Sequence, residues 1–392
     1  MLKRSNFSLD FFLKLLFIPI FFELVIGGGG HYMELGPITV RMLLYVIAVL
    51  LSLVYYSIKK TIKTDVFILM FALTTSCLLS GVVGYVNRAS IGAILEDFKP
   101  LSFIYVLLFF SVVIKRIEDI DKICKIVKIG SLILGGGYIL VVLLLFFKQI
   151  DFASFYLRQY EIGEVMFRDD TLFFYKGFMY LCVGFFFFLL SKGKYSLIPL
   201  LFLFSCIVLT LTRGFILFTV LITLYYVFFI SKNVLIKWLF FIMGLFSVMI
   251  LIPILLETLG DKSDSDIVRY TQINQVTSAI NPVSFLIGHG FGIGVPIREV
   301  HMELSFLEIF HKQGLLGLCF WFGIFIHIFI MYFNIKDKKY KEIALPFLLS
   351  VVFVILQSTT NPYMNNPIGL TMILITIVVF SKLLEIQKNK TT

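Results

Sequence analysis

Twelve apolar stretches dominate this 392-residue chain, at 11–28, 38–58, 65–86, 98–114, 129–147, 171–190, 196–211, 214–230, 238–257, 315–333, 343–360 and 367–384. Each approaches the ~20 residues an α-helix needs to cross a bilayer. A chain with such runs has to satisfy its backbone polar groups internally, which helices do. Hydrophobic residues make up 59% of the sequence and the mean hydropathy is +0.98, which excludes a soluble globular fold. The expected fold is all-α: a polytopic integral membrane protein of about 12 transmembrane helices. It forms one transmembrane domain over 1–392, with a large outer loop at 258–303 inside it. Lys3 and Arg4 precede the first stretch, but no small-residue cleavage pattern follows, so it reads as a retained helix.

The loops set the orientation. Ser57–Thr64, Lys115–Lys128, Ser191–Tyr195 and Asn334–Glu342 fall on alternate sides of the spans and are rich in Lys and Arg. Together with 231–237 and the termini, this side carries a net charge of +13, and the opposite side −3. The positive-inside bias therefore places both termini of this multi-pass membrane protein in the cytoplasm. The formal charge of +10 is a topology signal and gives no support for nucleic acid as a partner. The five cysteines avoid the outer loops, so no disulfide framework is expected. No CxxC or HExxH pair is present, and no metal site or cofactor is expected.

Arginine breaks the charge pattern. Arg41, Arg88, Arg158, Arg168, Arg213, Arg269 and Arg298 all fall on the outer side, whereas most lysines fall inside. A forked guanidinium matches phosphate or carboxylate in a way that an ammonium does not. Four outer segments gather the relevant residues. The first is the turn Thr212-Arg213-Gly214, with almost no loop between two spans; the alternative reading is an arginine snorkelling at a helix end.

The second segment runs from Asp266 to Gly294. Arg269 opens a polar stretch, Asn281-Pro282 breaks it, and glycines then alternate at 288, 290, 292 and 294. Such glycines let backbone amides approach an anion, or let a loop pack on helix tops. Asp264 and Asp266 resemble a metal pair only superficially. The third segment is Arg298–Phe306, where His301 and Glu303 are each placed to act as general base. Beyond it, Glu308 and Lys312 read as a simple i, i+4 helix pair, and Gly314 and Gly317 as helix-packing positions. The fourth is Ser358–Asn366, a polar turn that is either plain or a wall of the outer cavity.

In this order and on one side of the membrane, these segments resemble the O-antigen polymerase and O-antigen ligase superfamily. The matching features are Thr212-Arg213-Gly214, Arg269 before the 288–294 glycines, Gly314-x-x-Gly317 and Asn361-Pro362-Tyr363. In the ligases a histidine stands eleven positions before the Gly-x-x-Gly pair. Here that position is Glu303, with His301 two residues earlier and followed by Met302. The departure favours a polymerase of oligosaccharide repeat units.

The resemblance implies a C-type glycosyltransferase-like bundle, with a metal-independent, inverting site on the outer face. It implies polyprenyl-pyrophosphate-linked oligosaccharide as substrate, with membrane lipid around it and a flippase and chain-length regulator as partners. The product would be O-antigen, capsule or exopolysaccharide. Arg213, Arg269 and Arg298 are the expected pyrophosphate clamp. Glu303 is the first expectation for the base that deprotonates the acceptor hydroxyl, and His301 the second. A ligase, moving glycan to a lipid or protein acceptor, is the alternative. A flippase is a second one, disfavoured because the spans hold almost no charge beyond Lys14 and Glu23.

Overall fold

The computed structural model describes residues 2–391 apart from 36–37, 60–61, 192, 194, 231–236, 239–240, 243, 246–248 and 250–262. The chain is built almost wholly of helices. In order they are α1 (Leu2–Ile26), α2 (Val40–Lys59), α3 (Thr64–Val86), α4 (Ile91–Ser102), α5 (Val106–Val113), α6 (Ile117–Phe146), α7 (Phe152–Ile162), α8 (Met179–Leu189), α9 (Leu197–Leu209), α10 (Arg213–Tyr225), α11 (Ser263–Ala279), α12 (Pro282–Ile287), α13 (Ser305–Asn334), α14 (Lys338–Gln357) and α15 (Pro367–Thr391). Among the described residues, seven helices are long and apolar enough to cross a membrane, and α8 and α9 are shorter apolar helices. The stretch at 238–257 lies for the most part outside the described residues.

Two expected spans take a different form. The stretch at 98–114 is broken: α4 carries Pro100 in its last turn, a 3-10 turn follows at Phe103–Tyr105, and α5 resumes the path. Pro100 lacks an amide for the Glu96 carbonyl, which weakens the last turn of α4 just ahead of the break. The stretch at 171–190 begins as a strand, Phe173–Tyr175, which pairs antiparallel with Val165–Phe167. A second small hairpin joins Glu34–Leu35 to Ile38–Thr39. These two short hairpins sit within an otherwise all-α architecture, as expected.

The long helices differ widely in how far they are buried. α15 has 78% of its apolar window buried, and α2 only 11%. A helix that is hydrophobic all round belongs in the middle of a bundle. The outer helices face away: Phe67, Phe71, Leu78, Val82 and Val86 form an exposed apolar stripe along α3. In water such a stripe would favour association, and its natural solvent is the lipid chain.

Ion pairs and hydrogen bonds define two ends of the bundle. At one end Lys115 meets Asp10, Lys63 meets Glu385, and Lys390 meets Asp337. Both terminal helices therefore have their free ends at the same pole. At the other end Tyr180 donates to the carbonyl of Ile368 and Asn87 to that of His289. There too, buried Arg41 clasps Glu23 with contacts of 2.9 to 3.1 Å and donates to Gly28. This arginine, expected among the outward cations, is already neutralised by the carboxylate of α1.

Candidate active site

The arginine-rich end is closed by a loop that threads between helices. The expected helix break occurs: Asn281 caps α12 by accepting from the amides of Val283 and Ser284, with Pro282 in the first turn. The chain then runs between α3 and α13. Gly290 has φ 92° and lies so close to Gly84 of α3 that neither position has room for a methyl group. α13 itself kinks at Gly314, with φ 64° and ψ −160°, where the backbone of Leu286 in α12 and of Gly288 beyond it packs closely against it. The transmembrane part of α13 starts beyond that kink, close to the span expected at 315.

This packing settles the role of the glycine run. The amides of Gly288, His289, Gly290 and Phe291 all donate to protein carbonyls, those of Ser284, His311, Lys312 and Ser80. Only the Gly292 amide holds an anion, and that anion is the buried carboxylate of Asp97, 2.7 Å away. The glycines are a close-packing device and not an open cradle for substrate phosphate. A methyl group on Gly84 is expected to push the loop out and destabilise the folded protein by about 1–3 kcal/mol. Gly136→Ala, where the new methyl group meets nothing within 4 Å, is the neutral control; melting of the detergent-solubilised variants reads the difference.

Asp97 belongs to a buried charge cluster. The Lys312 ammonium donates to Asp97 Oδ1 at 2.6 Å, to Glu308 Oε1 at 2.8 Å, and to the carbonyl of Val300. The other Glu308 oxygen accepts from Asn365 at 2.8 Å. The single hydroxyl proton of Ser305 faces two acceptors, the Asn361 carbonyl at 3.2 Å and Asn365 Oδ1 at 3.1 Å. The Glu308–Lys312 pair is thus half of a larger knot, and the turn at 358–366 forms one of its walls. All three charged groups are almost fully buried, an arrangement stable only while each charge keeps its partners.

His301 caps this knot. Its Nδ1 lies 3.5 Å from Glu308 and 3.6 Å from Asp97. Two carboxylates against one ammonium leave a net negative charge, which an imidazolium would cancel. The Glu308 contact accordingly holds the His301 pKa above its ordinary 6.5, against the effects of burial and of Lys312. The sign follows: this pairing stabilises the loop fully below pH 6.5 and fades as pH rises through the elevated value. A proton on Nδ1, facing the carboxylates, would leave Nε2 as the basic nitrogen. A cavity of about 190 Å³ opens here, lined by Asp97, His301, Glu308, Lys312, Asn365 and Asn366 among others.

The ligand atoms of Asp97, His301 and Glu308 lie within 4.8 Å of one another, which by spacing alone suits a metal ion. Lys312 already bridges the two carboxylates at the place such an ion would take. The donor set fits an internal cation and would hold a metal only after displacing that lysine.

The expected clamp arginines separate into two groups. Arg269 and Arg298 converge on Glu303. Arg269 Nε reaches one oxygen at 3.1 Å and Arg298 reaches the other at 2.8 Å, while Arg269 also touches Asp266 at 3.3 Å. Glu303 therefore has both oxygens engaged by guanidinium groups, and Asp266 is an arginine partner and not part of a metal pair. Arg213, at the start of α10, stands with Arg168 at the turn of the Val165–Phe167 and Phe173–Tyr175 hairpin. Burial first, and then the like charge of Arg213, lowers the Arg168 pKa from its ordinary value. Among the described residues, the Arg168 side chain has no hydrogen-bond partner and leaves its Nε buried. Gly214 packs on Gln357, which joins this group to the turn at 358–366. Sequence reasoning missed Asp97 altogether and did not select Arg168. The signal for Asp97 was slight: an acid at the outer edge of a short apolar stretch.

An O-antigen polymerase from Shigella flexneri is 29% identical to the chain over 382 residues, spanning 94% of this chain and 96% of that protein. The chain is thus similar to that O-antigen polymerase over almost the whole of both sequences. The likeness runs end to end, so it covers the arginine-rich pole together with the bundle that carries it. It falls on the polymerase side of the resemblance drawn from the motifs. No protein-family profile matches the chain.

Proposed function

We propose that the chain is an oligosaccharide repeat unit polymerase of the bacterial cytoplasmic membrane. It would act at the arginine-rich pole, on the outer face, with both termini in the cytoplasm and about 12 spans in all. Its substrates would be repeat units linked to polyprenyl diphosphate. The observation that carries the reading is an imidazole set against two buried carboxylates at the mouth of a polar cavity. This cavity lies two residues along the chain from the Arg269–Glu303–Arg298 knot.

In this reading the acceptor sugar hydroxyl attacks C1 of the donor sugar. The hydroxyl proton passes to His301, the new C1–O bond forms on the far side, and the bond from C1 to the diphosphate oxygen breaks. The lipid diphosphate leaves with the electron pair, and inversion follows from attack opposite the leaving group. Charge building on the diphosphate is met by guanidinium groups, whose forked geometry suits it. His301 is favoured over Glu303 as base because Glu303 spends both oxygens on arginines. Glu303 instead orders Arg269 and Arg298, which would turn to the diphosphate when it binds. Arg213, with Arg168 beside it, is the second source of positive charge.

Arg213→Lys and Arg269→Lys are each expected to abolish long-chain glycan while the protein remains in the membrane. Gel banding of surface glycan in a deletion strain carrying each variant checks this. Full-length ladders from both variants would remove arginine from the mechanism. The rate should also rise with pH through the elevated His301 pKa, and Asp97→Asn should move that rise toward lower pH. A pH–rate profile that neither Glu308→Gln, which removes the main cause of the elevation, nor Asp97→Asn moves would exclude His301 as base.

A further inference from the structure

A second, larger cavity of about 650 Å³ adjoins the first at this pole. Its walls are the loop at Gly29 and His31, the start of α2 from Thr39 to Val46, the face of α4 from Glu96 to Phe103, and Val300, His301 and Pro367. Pro100 and His301 line both cavities, so the imidazole stands at their junction. We propose that this larger cavity is the subsite for the acceptor saccharide, with Glu96 and Lys99 as the side chains that recognise its hydroxyls. The inference rests on the polymerase reading and extends it to the substrate that carries no reacting diphosphate.

The wall chemistry supports a sugar over a lipid chain or a second diphosphate. Arg41, the strongest cation in the wall, is locked onto Glu23 and Gly28. His31 is held by Glu34 at 2.8 Å. Glu96 and Lys99 are exposed, and among the described residues their side chains have neither hydrogen bonds nor ion pairs. They stand one helical turn apart on α4, one an acceptor and one a donor, with charges that cancel. A diphosphate gains little from such a neutral pair, and an acyl chain gains nothing from either charge. A sugar hydroxyl both donates and accepts, and so uses both.

Beside them the rings of Tyr45 and Phe103 stack at 5.7 Å, with the tyrosine hydroxyl spent on the Ser102 carbonyl. That leaves an apolar aromatic surface for the C–H face of a pyranose. The volume falls within the usual range for ligand pockets. A saccharide seated here would present its terminal hydroxyl toward His301, the residue shared with the smaller cavity.

The test separates acceptor from donor. The probe is the cell's own repeat-unit oligosaccharide, freed from lipid by mild acid. It offers an acceptor hydroxyl but no diphosphate, so it can accept and cannot donate. It is titrated against purified full-length protein in nanodiscs at fixed lipid-linked donor. Glu96→Gln and Lys99→Gln are expected to raise the KM for this saccharide about tenfold or more, leaving the KM for donor unchanged. Both residues are exposed, so the variants should fold, and monodisperse elution confirms it. An unchanged saccharide KM in both variants overturns the proposal. So does inhibition relieved by Lys99→Gln when polyprenyl monophosphate is the competitor, which would assign the cavity to a lipid headgroup. If the unmodified protein forms no linkage at all, the polymerase reading fails before this one is reached.

Discussion

His301→Ala should reduce glycan polymerisation by about 10²–10⁴-fold, the usual range for loss of a positioned general base. The side chain is half exposed and its ion contacts are 3.5 Å or longer, so its loss should not unfold the bundle. Surface glycan in a deletion strain would then show single repeats in place of a ladder, at normal protein level. His301→Gln keeps a polar group of similar size but cannot take up the proton, so it should be equally inactive. Glu303→Gln makes the contrasting case. It keeps an acceptor oxygen for arginine and loses charge, so it should weaken substrate binding more than turnover. A Glu303→Gln variant as inactive as His301→Ala at saturating substrate would return the base to Glu303.

Lys312→Met should destabilise the folded protein by about 3–5 kcal/mol, because it strands two buried carboxylates facing each other without a cation. Asp97 and Glu308 reach Lys312 at 2.6 and 2.8 Å with almost no solvent access. Membrane levels of the variant should fall sharply. The triple change Asp97→Asn, Glu308→Gln, Lys312→Met removes all three charges and should recover much of the protein. It should not recover activity, since His301 would then lack its carboxylate partners. Immunoblots of membrane fractions, read beside glycan ladders, separate the two effects.

Much of the architecture is legible from apolar run length alone, because a bilayer admits few ways to bury a backbone. The starts of α2, α3 and α10 fall within a few residues of the apolar boundaries, and Asn281-Pro282 marks the start of α12 by its capping chemistry. The turn at 358–366 reads from the sequence first as a plain turn, and only its contacts with Ser305 and Glu308 make it a wall of the cavity.

Other features depend on neighbours remote in the chain. Asp97 and Lys312 are 215 positions apart, and no local pattern announces that pairing. Alternating glycines satisfy two physical demands, close approach to an anion and close approach to another helix, and only the position of Gly84 decides between them. Arg41 looks like an outward cation until Glu23 is seen beside it. A periodicity can place a charge at a membrane face, but it does not reveal which charges are already spent.

The most direct measurement counts leaving groups. Purified protein in proteoliposomes, supplied with lipid-linked repeat units, should lengthen glycan chains and release one polyprenyl diphosphate for each linkage formed. Movement of intact lipid-linked units across the bilayer without release, or chain growth that yields no free lipid diphosphate, would contradict glycosyl transfer at this pole.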